Sequence, residues 1–293
     1  MISLFLTEAI RVIHSAAHSL LIALQLLLLS AVWFCGLALL VKGKEAIAAA
    51  RRAAAEARLN LSILVVDVLF VAPIVALLVK LVRLGIQHLP FGVLDGGLWD
   101  LTGRTGTLVA VVFVGDFMSY WRHRLEHTRV LWPAHAIHHS DTEVTWLTLA
   151  RFHPIDRMVT ATVDIVLLAL LGFPDWALVA NEIVRHYYGE FIHADFPWMY
   201  GRLGRLFVSP VMHRWHHARD VVGAGSNFAT VFSVFDQAFG TYHVPGVCTV
   251  PLGVADDIGP GLMGQLRFPL VTWTRRYRAA PLTDGGASPE IRL

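Results

Sequence analysis

Of the 15 histidines in this chain of 293 residues, eleven lie between His123 and His217, and eight of those fall into three tight groups. The groups are His123-x-x-x-His127, His135-x-x-His138-His139 and His213-x-x-His216-His217. Composition alone would give about 0.04 copies of H-x-x-H-H in a chain this long, so two copies are not chance. Imidazole is the commonest neutral nitrogen ligand for iron, zinc and copper. Eight are too many for one ion, and the pattern predicts a two-metal protein. Residues three or four apart share a helical face, so each group can chelate from one helix. The adjacent pair in each H-x-x-H-H diverges by about 100°, which lets one helix serve both ions. Nitrogen ligands, no thiolate and open coordination positions suit an oxygen-activating iron pair.

The elements that must hold these groups read as membrane helices. Hydrophobic residues make up 55% of the chain and the mean hydropathy is +0.56, well above a soluble protein. Leu20 to Val41 carries no charge, and Leu61 to Val79 carries only Asp67; both are long enough to cross a bilayer. The first run lacks a cleavage site and is taken as a retained span. Lys42, Lys44, Arg51, Arg52 and Arg58 between the runs face only Glu45 and Glu56, which places that loop in the cytoplasm. A Gly-rich connector over 85–104 leads to a third span from about Thr105 through Trp121. That span returns to the cytoplasm and delivers His123 and His127. Val159 to Leu171 meets the turn signal Gly172-Phe173-Pro174-Asp175, and a second helical stretch descends from Trp176 to His193. This is a hairpin entering only part of the membrane.

The expected fold is therefore all-α: a polytopic bundle of about four spans plus a helical hairpin, capped by a cytosolic histidine-rich di-metal region. Three segments follow, namely 1–104 with two spans, 105–245 as the catalytic domain and 246–293 as a cytosolic tail that ends in disorder. A net charge of +2 gives no case for nucleic acid, and Cys35 and Cys248 give none for a disulfide framework.

Asp116, Tyr120, His123 and His127 lie at i, i+4, i+7 and i+11 of the third span. A carboxylate at membrane depth marks function. Asp116 is expected to accept the free ring N–H of a metal-bound histidine, or else to pair with an arginine of a neighbouring helix. Asn227 either donates to a metal-bound water or shapes a loop. His186 lies seven residues before His193, on the same face, and His153 precedes Pro154; either could join or brace the site. His14, His18, His88 and His243 are expected to have no metal role. Asp67 pairs across the bundle or lines the substrate route.

Together, Asp116-x₃-Tyr120-Trp121-x-His123-Arg124-x₂-His127, His135-x₂-His138-His139, Arg151-Phe152-His153-Pro154, Phe191-Ile192-His193-Ala194, His213-x₂-His216-His217 and Phe235-Asp236-x₂-Phe239-Gly240-Thr241-Tyr242 resemble the fatty acid hydroxylase/sterol desaturase superfamily. The likeness covers about residues 110–245. It implies a membrane non-haem di-iron oxygenase that hydroxylates or desaturates lipids. It also implies that the eight grouped histidines are ligands and that His193 completes the set. Asp195 stands where sterol-processing relatives commonly carry Asn.

The cofactors so implied are two iron ions cycling between Fe²⁺ and Fe³⁺, with O₂ as co-substrate and zinc able to replace iron in purified material. The chain has no dinucleotide glycine fingerprint, haem motif or iron–sulfur cysteines. Electrons must come from a separate donor such as a ferredoxin, a cytochrome b5-like protein or a reductase. The lipid would enter sideways from the bilayer, between the hairpin and the third span, past residues such as Phe113, Phe117, Trp146 and Phe191. Two other readings stay open. One is a membrane metal-ion transporter or binding protein. The other is a single-zinc metallopeptidase, because His123-Arg-Leu-Glu126-His127 also fits H-x-x-E-H.

Overall fold

The structure is a computed structural model that describes residues 2–86, 97–219 and 225–279. His88, Gly92, Asp95, Gly96 and the 283–293 tail lie outside the described residues, as does the side chain of His14. The described residues are helical with no strand; an isolated bridge joins Ala218 to Leu252.

Helix α1 (Ile2–Lys42) merges the N-terminal lead with the first span. Leu28, Val32, Trp33 and Leu40 point outward, as hydrocarbon requires. The short α2 (Glu45–Arg52) carries the basic loop. The second span is one rod built from α3 (Ala54–Val66), a π turn (Asp67–Val71) and α4 (Ala72–Ile86). It starts earlier than the apolar run because the alanines of Ala53-Ala54-Ala55-Glu56-Ala57 already favour helix. Helix α5 (Gly97–Glu126) bends at Gly103, where φ is +63°. Helices long and apolar enough to cross a membrane are Ala17–Lys42, Ala54–Val82 and Trp99–Glu126. The expected hairpin follows as α7 (Pro154–Leu170) and α8 (Asp175–His193). It begins at Pro154 because His153 caps it, accepting the Ile155 N–H at 3.1 Å. Around the hairpin lie α6 (Trp132–His139), a 3₁₀ turn (Trp146–Ala150), α9 (Pro210–His216), α10 (Val234–Ala238) and α11 (Gly261–Ala279).

Two features bring the histidine-bearing ends together. Helices α5 and α8 touch closely at Gly115, where a Cβ would stand 2.6 Å from the Asn181 side chain. Arg151, 2% exposed, donates to Glu56 (2.5 Å) and Asn60 (3.2 Å) of α3 and to Ser140 (3.1 Å) beyond α6. Asp141 takes further hydrogen bonds from Asn60 (2.9 Å) and Thr148 (2.7 Å). The second span is thereby tied to the histidine-bearing α6.

Candidate metal centre

Each ligand-bearing helix starts or stops where its sequence says it should. Helix α6 follows Leu131 with Pro133 in its first turn. Ser209 caps α9 by accepting the Met212 N–H at 3.1 Å, and Pro210 takes the first position. Helix α8 ends at His193, where Ala194 turns extended. Four short approaches thus converge from α5, α6, α8 and α9.

The nine predicted histidines all arrive, and they divide. His123, His127, His135, His139 and His216 form one group, and His138, His193, His213 and His217 form the other. Within each group the ligand atoms lie within 4.8 Å of one another. His139 and His217 stack across the boundary, with ring centres 4.5 Å apart. Helix α6 feeds both groups, as the diverging pair His138-His139 requires.

The protonation pattern of these rings calls for cations. His123 Nδ1 faces the Phe228 carbonyl (2.8 Å), His216 Nδ1 the Ser226 carbonyl (2.7 Å) and His193 Nδ1 the Gly189 carbonyl (2.7 Å). A carbonyl only accepts, so each Nδ1 carries the proton and each Nε2 presents a lone pair. Yet His123 Nε2 lies 2.9 Å from His216 Nε2 and 3.1 Å from His135 Nε2. In the second group His193 Nε2 lies 2.9 Å from His213 Nε2 and 3.1 Å from His138 Nε2. Lone pairs do not bond to each other. Two nitrogens bound at right angles to one ion at about 2.1 Å are about 3.0 Å apart, which matches these separations. Burial holds His138, His139, His213 and His217 well below the ordinary imidazole value, and neighbouring imidazoles add to it. Burial also takes His216 down to about 3. Neutral rings are the metal-binding form. His135 is the exception. Burial opposes its charge, but Asp156 at 3.1 Å from Nδ1, then Glu126 at 3.7 Å, raise it above the ordinary value.

Residues 108–241 match the family model described as fatty acid hydroxylase. Over that stretch the chain is similar to fatty acid hydroxylases. Its relatives include ornithine lipid hydroxylase OlsE of Rhizobium tropici, 29% identical over 164 residues, covering 55% of this chain and 50% of that protein. Human alkylglycerol monooxygenase is 30% identical over 133 residues, covering 45% and 29% respectively. A very-long-chain aldehyde decarbonylase of Oryza sativa subsp. japonica is 32% identical over 134 residues, covering 43% and 48%. The chain thus spans about half or less of the length of these relatives. No solved structure matches it.

Within this stretch the structure corrects the expected partner of Asp116 and, of the two readings of Asn227, favours the loop. Asp116, fully buried, takes no histidine N–H. Its oxygens accept the backbone N–H groups of Thr230 (3.1 Å), Val231 (3.0 and 3.1 Å) and Phe232 (2.7 Å). Hydrogen-bonding need inside the core turns it to an adjacent loop, whose Phe228 and Ser226 carbonyls do orient ligands. Asn227, also fully buried, donates to the Met212 (3.0 Å) and His243 (2.7 Å) carbonyls and accepts the His243 N–H (2.8 Å). With φ +60° it shapes that loop and faces no ligand position. His153 is a helix cap whose Nε2 reaches the Leu266 carbonyl (3.2 Å), and His186 stays outside both groups, 3.6 Å from Glu190. Both Glu126 oxygens accept from Arg122 Nη1 at 2.7 Å, so no free general base stands beside His123 and His127. Asp195 pairs with Lys42 and, at 3.2 Å, with Arg214.

Sequence reasoning missed Asp156, one turn into the helix capped by His153, and the backbone carbonyls that fix the ring tautomers. It also missed the buried pairing of Arg122 with Asp164 (2.9 Å). Asp156 had a signal, a carboxylate three residues after the quoted His153-Pro154; the carbonyls had none.

A cavity of about 420 Å³ lies against the centre and is lined by His123, His135, His138, His193 and His213. Its other walls come from α1, α3, the π turn, α5, the 3₁₀ turn, α7 and α8. Asp67 both lines it and stands 3.7 Å from Arg157. Trp146 lines the cavity, and Phe191 lines a neighbouring groove between α1 and α8. Phe113, which stays largely exposed, and Phe117 instead pack on Phe235. The groove follows the α1–α8 seam, and α5 packs closely against α8 at Gly115.

Proposed function

We propose that this membrane protein is a non-haem di-iron oxygenase that hydroxylates a lipid. The observation that carries the reading is the division of nine buried or half-buried imidazoles into adjoining groups of five and four, against a cavity beside the lipid-facing helices. His123, His127, His135, His139 and His216 would hold one iron, and His138, His193, His213 and His217 the other. The bound irons supply the activation of O₂ that lets one oxygen atom enter an unactivated C–H bond. In balance, C–H, O₂, two electrons and two protons give C–OH and water, with the electrons brought by a separate donor protein. Hydroxylation is favoured over desaturation because the relatives include a hydroxylase and monooxygenases.

The chain's own part is orientation and exclusion. Phe228, Ser226 and Gly189 carbonyls and the Asp156 carboxylate fix which ring nitrogen faces the metal. Asp116 and Asn227 act as positioning residues by holding the loop that supplies two of those carbonyls. Burial of the rings keeps bulk water from the reacting carbon. The protein crosses the membrane several times with the metal face in the cytoplasm, a reading supported by the basic loop 42–58 and by arginines beyond His193.

The test is iron-loaded, full-length protein in lipid nanodiscs with ¹⁸O₂ and a reductant. About two irons per chain and a lipid product carrying one ¹⁸O are expected. At most one transition metal per chain in fully loaded protein would overturn it.

A further inference from the structure

We propose that the cavity beside the histidine centre is a receptor for a primary ammonium group, so that the substrate is a lipid with an amine-bearing headgroup. This rests on the oxygenase reading for its chemistry, though not for its binding.

The cavity wall is apolar in part and charged in part. Five carboxylates line it (Asp67, Glu126, Asp164, Glu182 and Glu190) against three guanidinium groups (Arg122, Arg157 and Arg185). The arginines are occupied. Arg122 binds Glu126 and Asp164, Arg157 faces Asp67, and Arg185 holds the Gly115 carbonyl and the Ser119 hydroxyl, both at 2.5 Å. Glu182 and Glu190 remain, with no lysine or arginine within 4.0 Å among the described residues. Glu190 is only 6% exposed. Ser30 Oγ donates to its Oε2 at 2.8 Å and His186 lies 3.6 Å from its Oε1. A carboxylate buried this deeply without a cation is costly. A ligand ammonium entering the cavity would remove that cost.

Position gives the pairing its use. Glu182, His186 and Glu190 are spaced four residues apart and form one stripe of α8 along the cavity wall. Glu190 precedes His193 by three residues, so an ammonium seated there lies one helical turn from a residue of the metal centre. Carbons of the headgroup, not the far end of a chain, would then meet the oxidant.

The chains have their own place. A groove of about 540 Å³ between α1 and α8 is lined by Leu29, Trp33, Phe34, Val184, Tyr187 and Phe191. Leu29 and Trp33 are more than half exposed, so the groove faces the hydrocarbon. Ser30 lines both groove and cavity, and it marks the point where headgroup and chain would part. The carboxylates and the hydroxyl are hydrogen-bond acceptors, which favours an N–H-bearing cation over a quaternary one.

The experiment uses full-length, iron-loaded protein in phosphatidylcholine nanodiscs and two probes with identical chains. One ends in a primary amine; the other is its N-acetyl form. Titration should give a Kd about tenfold or more lower for the amine. Glu190→Gln should erase that difference and Glu182→Gln should reduce it, with iron content measured in every sample. Equal binding of both probes by the unaltered protein, which needs no variant, overturns the proposal. So does an amine preference that survives Glu190→Gln. Amine-selective binding with no oxygenated product under O₂ and reductant upholds the receptor and removes the oxygenase reading. Oxygenation of acyl chains with no amine preference does the reverse.

Discussion

In the five-histidine group, His123, His135 and His216 each donate Nδ1–H to a fixed acceptor: the Phe228 carbonyl, Asp156 and the Ser226 carbonyl. In the four-histidine group only His193 does so, to Gly189. The Nδ1 atoms of His138, His213 and His217 are buried with no hydrogen-bond partner among the described residues. His138 is held instead by stacking on Phe152, with ring centres 4.8 Å apart and planes 12° from parallel. An outer acceptor fixes ring orientation and raises ligand basicity. The larger group is thus restrained from outside and the smaller one mainly by packing. Two sites that share one helix can therefore differ in how tightly they hold their ions.

The sharpest way to break this comparison is to remove one ligand from each half. His193→Ala leaves three histidines in the smaller group, and bound iron should fall to about one per chain. Turnover should fall by roughly a thousandfold or more. His127→Ala leaves four in the larger group, and elemental analysis should still find two. Equal metal loss from both variants would end the distinction. A finer probe is Asp156→Asn, which weakens the carboxylate tether on the His135 ring. Iron affinity at the larger group should drop by about 10–100-fold, measured by competition with a chelator, while the smaller group is unchanged.

Acidification should act on both halves together. His138, His139, His213, His216 and His217 are held below the free imidazole value, so the unfolded chain takes up protons that the folded one refuses. Metal-free stability is then complete above about pH 6.5 and is lost as pH falls, by about 1.4 kcal/mol per pH unit for each proton of difference. His135, raised, has the opposite sign; its contribution is present at low pH and lost as pH rises. It opposes five rings and cannot reverse them. Thermal melting of metal-free protein between pH 7.5 and 5 should show a steady fall. The smallest effect belongs to Asp116→Asn, which takes acceptor capacity from three backbone N–H groups. It should cost about 1–3 kcal/mol in denaturant titrations, with two irons still bound at saturation.

The grouped histidines were legible because ligand spacing is a local property of a helix and is written directly in the chain. His193 needed the resemblance, since a single histidine after an apolar pair has no periodicity to mark it. The apolar spans were legible from length and charge, and the hairpin from Gly172-Phe173-Pro174-Asp175. Asp116 is buried, as its place in the third span implies, yet its partners are backbone N–H groups and not a histidine. A carboxylate inside a helix bundle can satisfy backbone groups as readily as imidazoles, and which it meets depends on a loop more than a hundred residues away. Nothing in the sequence says that Gly115 lets α5 pack so closely on α8.

The Arg151 tie reaches further than local stability. Its guanidinium is buried, and the acid and amide that satisfy it, Glu56 and Asn60, belong to the second span. Excising the hydroxylase homology region, 108–241, would take Glu56 and Asn60 from Arg151, leave it Ser140 and Asp141, and strip away the α1 and α3 walls of the cavity. Anyone transplanting this catalytic unit into another scaffold must bring along the upstream anchor, even though the homology match does not extend to it.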